Sequence, residues 1–206
     1  MTIRLHRLAA ISLSVLALAG TLSACTPLVL GGAAVGTLVA IDRRTSGAQL
    51  EDEGIELRAA SRLRESLGER GHINVNSYNR QVLLTGEVAS EADKQTAEQV
   101  VSRVENVKGI VNDLAVMGNS SLTQRSADAL TTGKVKASLV DDKLLSANSF
   151  RVVTERGTTY LMGLVTQREA DRATAIARGV GGVQRVVRVF EIISEEDLRR
   201  IAPQPR

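Results

Sequence analysis

Residues 73–116 read INVNSYNRQVLLTGEVASEADKQTAEQVVSRVENVKGIVNDLAV, and residues 150–192 read FRVVTERGTTYLMGLVTQREADRATAIARGVGGVQRVVRVFEI. The second stretch is a version of the first. Gly86 aligns with Gly163 and Val88 with Val165, Glu91-Ala92-Asp93 with Glu169-Ala170-Asp171, and Val104, Val107, Ile110 and Val111 with Val180, Val183, Val186 and Val187. The offset slips by one residue between these blocks, which places the length changes in loops between matched elements. The unit is too long for a solenoid repeat and long enough for a small domain. The chain is one module used twice.

Within the first copy, Ile73 and Val75 alternate with Asn74 and Asn76, the pattern of a half-buried strand. Asn79-Arg80 turns the chain, and Val82, Leu84 and Thr85 lead through Gly86 to Val88, so the pair reads as a hairpin. Ser90 stands where a helix cap belongs, with Asp93 at N3 to close a capping box. Ala97, Val100, Val101 and Val104 form the buried stripe of that helix, and residues 110–116 return as a third strand. Upstream, Ile55, Ala59, Leu63 and Leu67 recur every fourth residue, which predicts a helix over 51–67. Gly68 and Gly71 end it, and His72 reads as a turn residue. In the second copy Ser126 or Asp128 caps the first helix, with Ala127, Leu130, Thr131, Val135 and Leu139 as packing positions. The hairpin turns at Glu155-Arg156-Gly157, a helix runs over 167–180, and the last strand over 183–193. The expected class is α+β. Each module is ordered α-β-β-α-β, with a three-stranded mixed sheet covered on one face by two helices. Gly86 and Gly163 sit inside strands, where glycine is costly. A bulge, or close approach by the covering helix, accounts for them.

Composition narrows the function. Aromatic residues make up 2% of the 206 positions, so two cores near the lower size limit must be built from Val, Leu, Ile and Ala. One cysteine excludes an intrachain disulfide, and His6 and His72 are too few for a zinc site, so no metal and no cofactor is expected. Paired histidines, a thiol in the mature domains and a GxxxxGK[ST] loop are all missing, which argues against an enzyme. Scarce aromatic platforms argue against nucleic acid as a partner. The net charge of +3 hides an asymmetry. Residues 51–116 carry eight basic and twelve acidic residues, net −4, and residues 124–190 carry eleven basic and six acidic, net +5. Either the second module is drawn to anionic surfaces, or the two modules attract each other, or both.

The N-terminus reads as an export signal. Arg4, His6 and Arg7 precede an apolar run from Leu8 to Ala19, followed by Leu22-Ser23-Ala24-Cys25. That tetrad resembles the bacterial lipoprotein processing box, which implies that Cys25 receives a diacylglyceryl thioether and becomes the acylated first residue. Acyl chains contribute about 0.8 kcal/mol per buried CH₂, so several chains anchor durably. Thr26 follows, where an aspartate would resemble the inner-membrane retention signal of enteric bacteria, and the outer membrane is therefore expected. Residues 28–41 are apolar and glycine-rich, short for a spanning helix, and read as membrane-proximal. The expected organisation is a signal peptide over 1–24, an acylated N-terminus and linker over 25–49, modules over 50–117 and 124–193, a linker over 118–123, and a polar C-terminal tail over 194–206.

The segments Leu83-Leu84-Thr85-Gly86-Glu87-Val88 and Leu161-Met162-Gly163-Leu164-Val165 resemble the central strand and glycine of the BON domain. Val104 to Ile110 and Val180 to Val186 resemble its closing V-x-G-V-x-x-V region, with Asn106 in the first copy where the second has Gly182. Together with the processing box, the pattern is similar to the dual-BON outer-membrane lipoproteins of Gram-negative bacteria. That resemblance implies a non-enzymatic protein facing the periplasm. It would bind anionic, phosphatidylglycerol-like phospholipid through the first helix of the second module and maintain envelope integrity, in enteric species at the division site. It places the lipid contact on Leu130, Thr131, Lys134 and Lys136, with Arg125 nearby. Leu130 stands where the enteric relative presents a tryptophan. The competing assignment makes Leu130 a core residue and the lysines a solvated face. A further alternative is an adaptor for an envelope protein partner, in outer-membrane assembly or peptidoglycan remodelling.

Overall fold

Thr45 accepts the N–H of Ala48 at 3.1 Å and so caps α1, Ser46–Leu67. The computed structural model describes residues 42–68 and 70–201. The processing box with Cys25, the export signal, the 28–41 segment and the last five residues lie outside the described residues. Ile55, Ala59, Leu63 and Leu67 face inward as their spacing predicts, and Gly68, at φ +56°, ends the helix. The helix starts five residues earlier than the apolar pattern, because its first turns bury a carboxylate, Asp52, in place of an apolar side chain.

Strands β1 (Gly71–Tyr78) and β2 (Gln81–Val88) are antiparallel, with Tyr78 opposite Gln81. Asn79 and Arg80 both have positive φ, 49° and 70°, as a two-residue type I′ turn requires. His72, expected in a turn, is a strand residue opposite Glu87. Helix α2 (Glu91–Ser102) is capped by Ser90, but the expected box does not close. Asp93 is one methylene shorter than glutamate, and the Ser90 hydroxyl donates to it at 2.7 Å instead. The third strand is broken into β3 (Gly109–Asn112) and β4 (Ala115–Val116), both parallel to β2.

The second module repeats the plan. Helix α3 (Leu122–Asp141) is followed by a short 3-10 turn, then β5 (Phe150–Glu155), β6 (Thr158–Val165), α4 (Gln167–Arg178) and β7 (Arg185–Ile192). β5 pairs antiparallel with β6, and β7 parallel with it. Here the capping box closes, with Thr166 and Glu169 satisfying each other's backbone N–H. The expected α+β class, with two mixed sheets and α-β-β-α-β order, is what the chain adopts. The expected polar C-terminal tail contains a helix. Ser194 accepts the N–H of Asp197 at 3.0 Å and starts a seven-residue helix, α5 (Glu195–Ile201).

Two aspartates, one not singled out in the sequence and one expected in another role, tie each first helix to its hairpin. Buried Asp52 accepts the N–H of Asn79 at 2.8 Å, the N–H of Arg80 at 2.7 Å and the hydroxyl of Ser77 at 2.6 Å. Asp128, expected as a helix cap, accepts the N–H groups of Arg156 and Gly157 at 2.8 and 2.9 Å. The cap of α3 is Ser121. Each carboxylate thus supplies acceptors for turn donors that the hairpin itself leaves unpaired. Asp52 also pairs with Arg44 at 2.7 Å, and Arg44 stacks over the Tyr78 ring at 4.2 Å. Asp52→Ala is expected to cost about 3 kcal/mol, because it leaves the turn donors unpaired and takes from Arg44 one of two carboxylates, Asp42 at 2.6 Å being the other. Asp128→Ala should cost about half as much. Equal losses in urea denaturation would sink the part given to Arg44.

Both faces of each sheet are covered, where one was expected. Val82, Leu84 and Val88 pack with α1 and α2, and Val152, Leu161 and Val165 with α3 and α4. The alternate residues Tyr78, Leu83, Tyr160, Met162 and Val189 form a third apolar cluster that joins the two sheets. The order of layers is helices, sheet, sheet, helices. Residues 42–201 therefore belong to one compact unit.

Candidate functional site

Helix α3 has a buried and an exposed face, and the apolar residues on the exposed one are the candidate site. At about 100° per residue, Leu122, Leu130 and Val140, with Ala129, Gly133 and Ala137 between them, lie opposite Asp128, Thr131, Val135 and Leu139. Leu122, Leu130 and Val140 are 79%, 69% and 67% exposed, so Leu130 is not the core residue its spacing allowed. Ala127 is exposed as well. Ser126, Ala129, Leu130, Gly133, Lys134 and Ala137 form a shallow apolar depression. Gly133 carries no packing demand, since a Cβ there would meet nothing within 4 Å.

Lys134 and Lys136 flank this stripe on opposite sides, and among the described residues neither has an ion-pair partner. Arg125 is half-buried, with its Nε donating to Ser120 at 3.1 Å. From Leu122 to Val140 the sole acidic residue is Asp128, and it is buried against the hairpin turn. Thr131 must be removed from the candidate lipid contacts. It is buried, its hydroxyl donates to the carbonyl of Ala127 at 3.0 Å, and it packs where Gly182 leaves room. Gly182 has φ +105° and Asn106 φ +68°, so the two copies differ there in residue but share a left-handed backbone, which asparagine tolerates.

The corresponding face of α1 differs in charge. It exposes Leu50 and Leu57 beside Glu53 and Glu65, with Arg58 and Arg64 on the same side and Arg58 paired to Glu51 at 2.7 Å, so both signs of charge are present.

Much of the charge asymmetry is neutralised where the sheets meet. Arg151 pairs with Glu56 at 2.8 Å, Arg156 with Glu87 at 3.1 Å and Arg185 with Asp113 at 2.7 Å, each joining the basic module to the acidic one. Both phenols of the apolar layer act as donors. Tyr78, pushed up to about 12 by burial, donates to the carbonyl of Ser149 at 3.3 Å. Tyr160, raised by burial and by its bond to Asp113, donates to that carboxylate at 2.8 Å. Arg43, within the stretch expected as polar linker, belongs to this seam too. Arg43 makes two bonds to Glu169, at 2.7 and 2.8 Å, and a third to the carbonyl of Leu164 at 3.0 Å. Burial alone would raise the Glu169 carboxyl, but the Arg43 guanidinium and the Thr166 N–H outweigh it and hold it below the usual range. A depressed carboxyl stabilises above its unfolded value and loses that contribution as pH falls through the folded one. The stability difference between the wild type and Arg43→Gln should therefore shrink as pH is lowered from 7 to 3. A difference that stays constant to pH 3 would refute the role given to this pair.

Among the described residues no group of three or more His, Cys, Asp or Glu is arranged to hold a metal ion. No helix among them is long and apolar enough to cross a membrane. Gly86 lies where the neighbouring strand β1 approaches, and Gly163 where the 3-10 turn before β5 does, in neither case the covering helix. A Cβ would fall 1.9 Å from the carbonyl oxygen of His72 in the first case and 2.5 Å from that of Ser149 in the second.

Outer membrane lipoprotein DolP of Haemophilus influenzae is 36% identical over 174 residues, which is 84% of this chain and 90% of that protein. A 21 kDa hemolysin of Actinobacillus pleuropneumoniae is 32% identical over 155 residues, 74% of this chain and 80% of the other. Osmotically-inducible protein Y of Escherichia coli is 33% identical over 117 residues, 55% of this chain and 58% of its own. The sequence profile of the BON domain matches twice, at residues 51–118 and 127–194, and those limits fall on the two α-β-β-α-β units. The chain belongs to the BON-domain family.

Proposed function

We propose that this chain is a non-enzymatic outer-membrane lipoprotein, anchored through acyl chains on Cys25, with both modules in the periplasm. Its second module contacts anionic phospholipid and supports envelope integrity. The kinship with an outer membrane lipoprotein over most of both chains supports the anchor and the compartment. The division site enters only through the family resemblance.

The observation that carries the lipid contact is the exposed face of α3. Leu122, Leu130 and Val140 lie in line, lysines stand on both flanks, and no exposed carboxylate lies between Leu122 and Val140. A helix of this kind rests in the plane of the interface, with its apolar side chains about 5–10 Å into the headgroup boundary. Each lysine near an anionic surface adds about 1 kcal/mol. The anchor makes the contact effectively intramolecular, so a weak site suffices to orient the modules.

Vesicles of phosphatidylglycerol should retain residues 39–206, and vesicles of phosphatidylcholine should retain far less. Leu130→Asp is expected to lower retention at least tenfold, by about 1.4 kcal/mol or more, with unchanged thermal stability. Lys134→Glu combined with Lys136→Glu should act in the same direction and flatten the salt dependence. Retention unaffected by all three substitutions would take α3 out of the site. An adaptor role is the second reading, favoured by a groove on the first module.

A further inference from the structure

We propose that the open edge of β1, with the groove between it and α1, docks an extended polypeptide segment that alternates basic and apolar residues. The two-residue turn at Asn79-Arg80 makes Tyr78 and Gln81 the hydrogen-bonded pair that closes the hairpin. Ser77, Val75 and Ile73 must then turn their backbone N–H and C=O groups away from β2. Ser77 shows this directly, since its N–H donates to Glu56 at 2.7 Å and its carbonyl accepts from Arg151 at 3.2 Å. Among the described residues nothing fills that role for Ile73 and Val75. Sheet edges are commonly blunted with charge, proline or a bulge, and here the two open positions are β-branched and apolar.

A groove of about 490 Å³ runs beside that edge, lined by Glu53, Glu56, Leu57, Ala60 and Asn74 as well as by Ile73 and Val75. Leu57 is 73% exposed along its wall, and Glu53 is exposed with no ion pair among the described residues. The free backbone groups call for an extended chain. Leu57 and Ala60 call for an apolar side chain, and Glu53, exposed and without an ion pair among the described residues, for a basic one beside it. The equivalent edge of the second module, at Phe150 and Val152, is flanked by Lys136 and by carboxylate-paired Arg44 and Arg151, and Asp42 there is already paired with Arg44, so it offers the same segment no free carboxylate. Helix α1 lies in the outer layer away from α3, so the strip stays clear when α3 meets a membrane, and it does not depend on that contact.

The test titrates an end-blocked hexapeptide of alternating lysine and valine against residues 39–206, the compact unit that holds both modules. The amide resonances of Ile73 and Val75 should shift and their hydrogen exchange should slow, while a glutamate–valine hexapeptide at equal concentration leaves them unchanged. Val75→Pro removes an outward N–H at an edge position where proline is tolerated. Glu53→Lys reverses the rim without touching the strand. Each should weaken binding at least tenfold. Equal binding of the acidic peptide, undiminished binding by both variants, or shifts confined to Val152 or to α3 would overturn the proposal.

Discussion

Replacing Gly86 by alanine is expected to unfold the first module, with a loss of about 4 kcal/mol or more, at the extreme of single substitutions. Two costs coincide there. Gly86 has φ +113°, a conformation that L side chains rarely adopt, and an added Cβ would lie 1.9 Å from the carbonyl oxygen of His72. That oxygen belongs to the backbone of β1, paired with β2 over eight residues, so no side chain can give way. Gly163 is its counterpart with half the difficulty. The contact to the Ser149 carbonyl is 2.5 Å, and no left-handed φ accompanies it. Gly163→Ala should therefore be milder by about 2 kcal/mol, from the strain it escapes. Urea denaturation of both variants ranks them, with a spectrum of the folded state to show which module has lost its structure. A reversed order, or losses under about 1 kcal/mol in both, would mean that β1 and β2 part more easily than their register implies.

The module was legible because its apolar spacing is regular and occurs twice. Ile55, Ala59, Leu63 and Leu67 gave one helix stripe, and Ala170, Ala173 and Ala177 another. What escaped were the places where polar groups occupy core positions. Asp52 and Asp128 face inward one turn ahead of the apolar stripes, and polarity alone assigns a charged residue to solvent or a cap. Their equivalent placement in the two copies, each followed three residues later by an inward-facing residue, was the available signal. The sheet-to-sheet layer was written in the sequence as well. Leu83-Leu84 in β2 and Leu161-Met162 in β6 put apolar side chains on both faces of each central strand, which a sheet with one wet face does not need. On α3, Leu130 fitted a packing register and a lipid register equally well in sequence. The buried Asp128 and Thr131, in line with Val135 and Leu139, fix the rotation of the helix and turn Leu130 outward.

Leu83→Asp is expected to separate the modules without dissolving either of them. Leu83 is fully buried between the sheets, beside Tyr78, Tyr160, Met162 and Val189. A carboxylate there meets apolar neighbours and has to be neutralised or hydrated, at a cost of several kcal/mol if the layer stays closed. Opening the layer hydrates it and exposes the apolar cluster, and the four ion pairs around the rim, from Arg43, Arg151, Arg156 and Arg185, of which only Arg43–Glu169 is buried at both ends, do not offset the cost of the buried carboxylate. The wild type should unfold in one cooperative transition, as a unit with a shared core does. Leu83→Asp should show two transitions and a larger radius of gyration, with the strand signals of both modules retained. Leu84→Asp is the control. It lies one residue along the same strand, faces α1 and α2, and should unfold the first module alone. An unchanged size and a single transition for Leu83→Asp would mean that the two sheets are not bound through this layer. If they are, the modules behave as one rigid body, and a membrane contact on α3 also fixes which way the groove beside β1 faces.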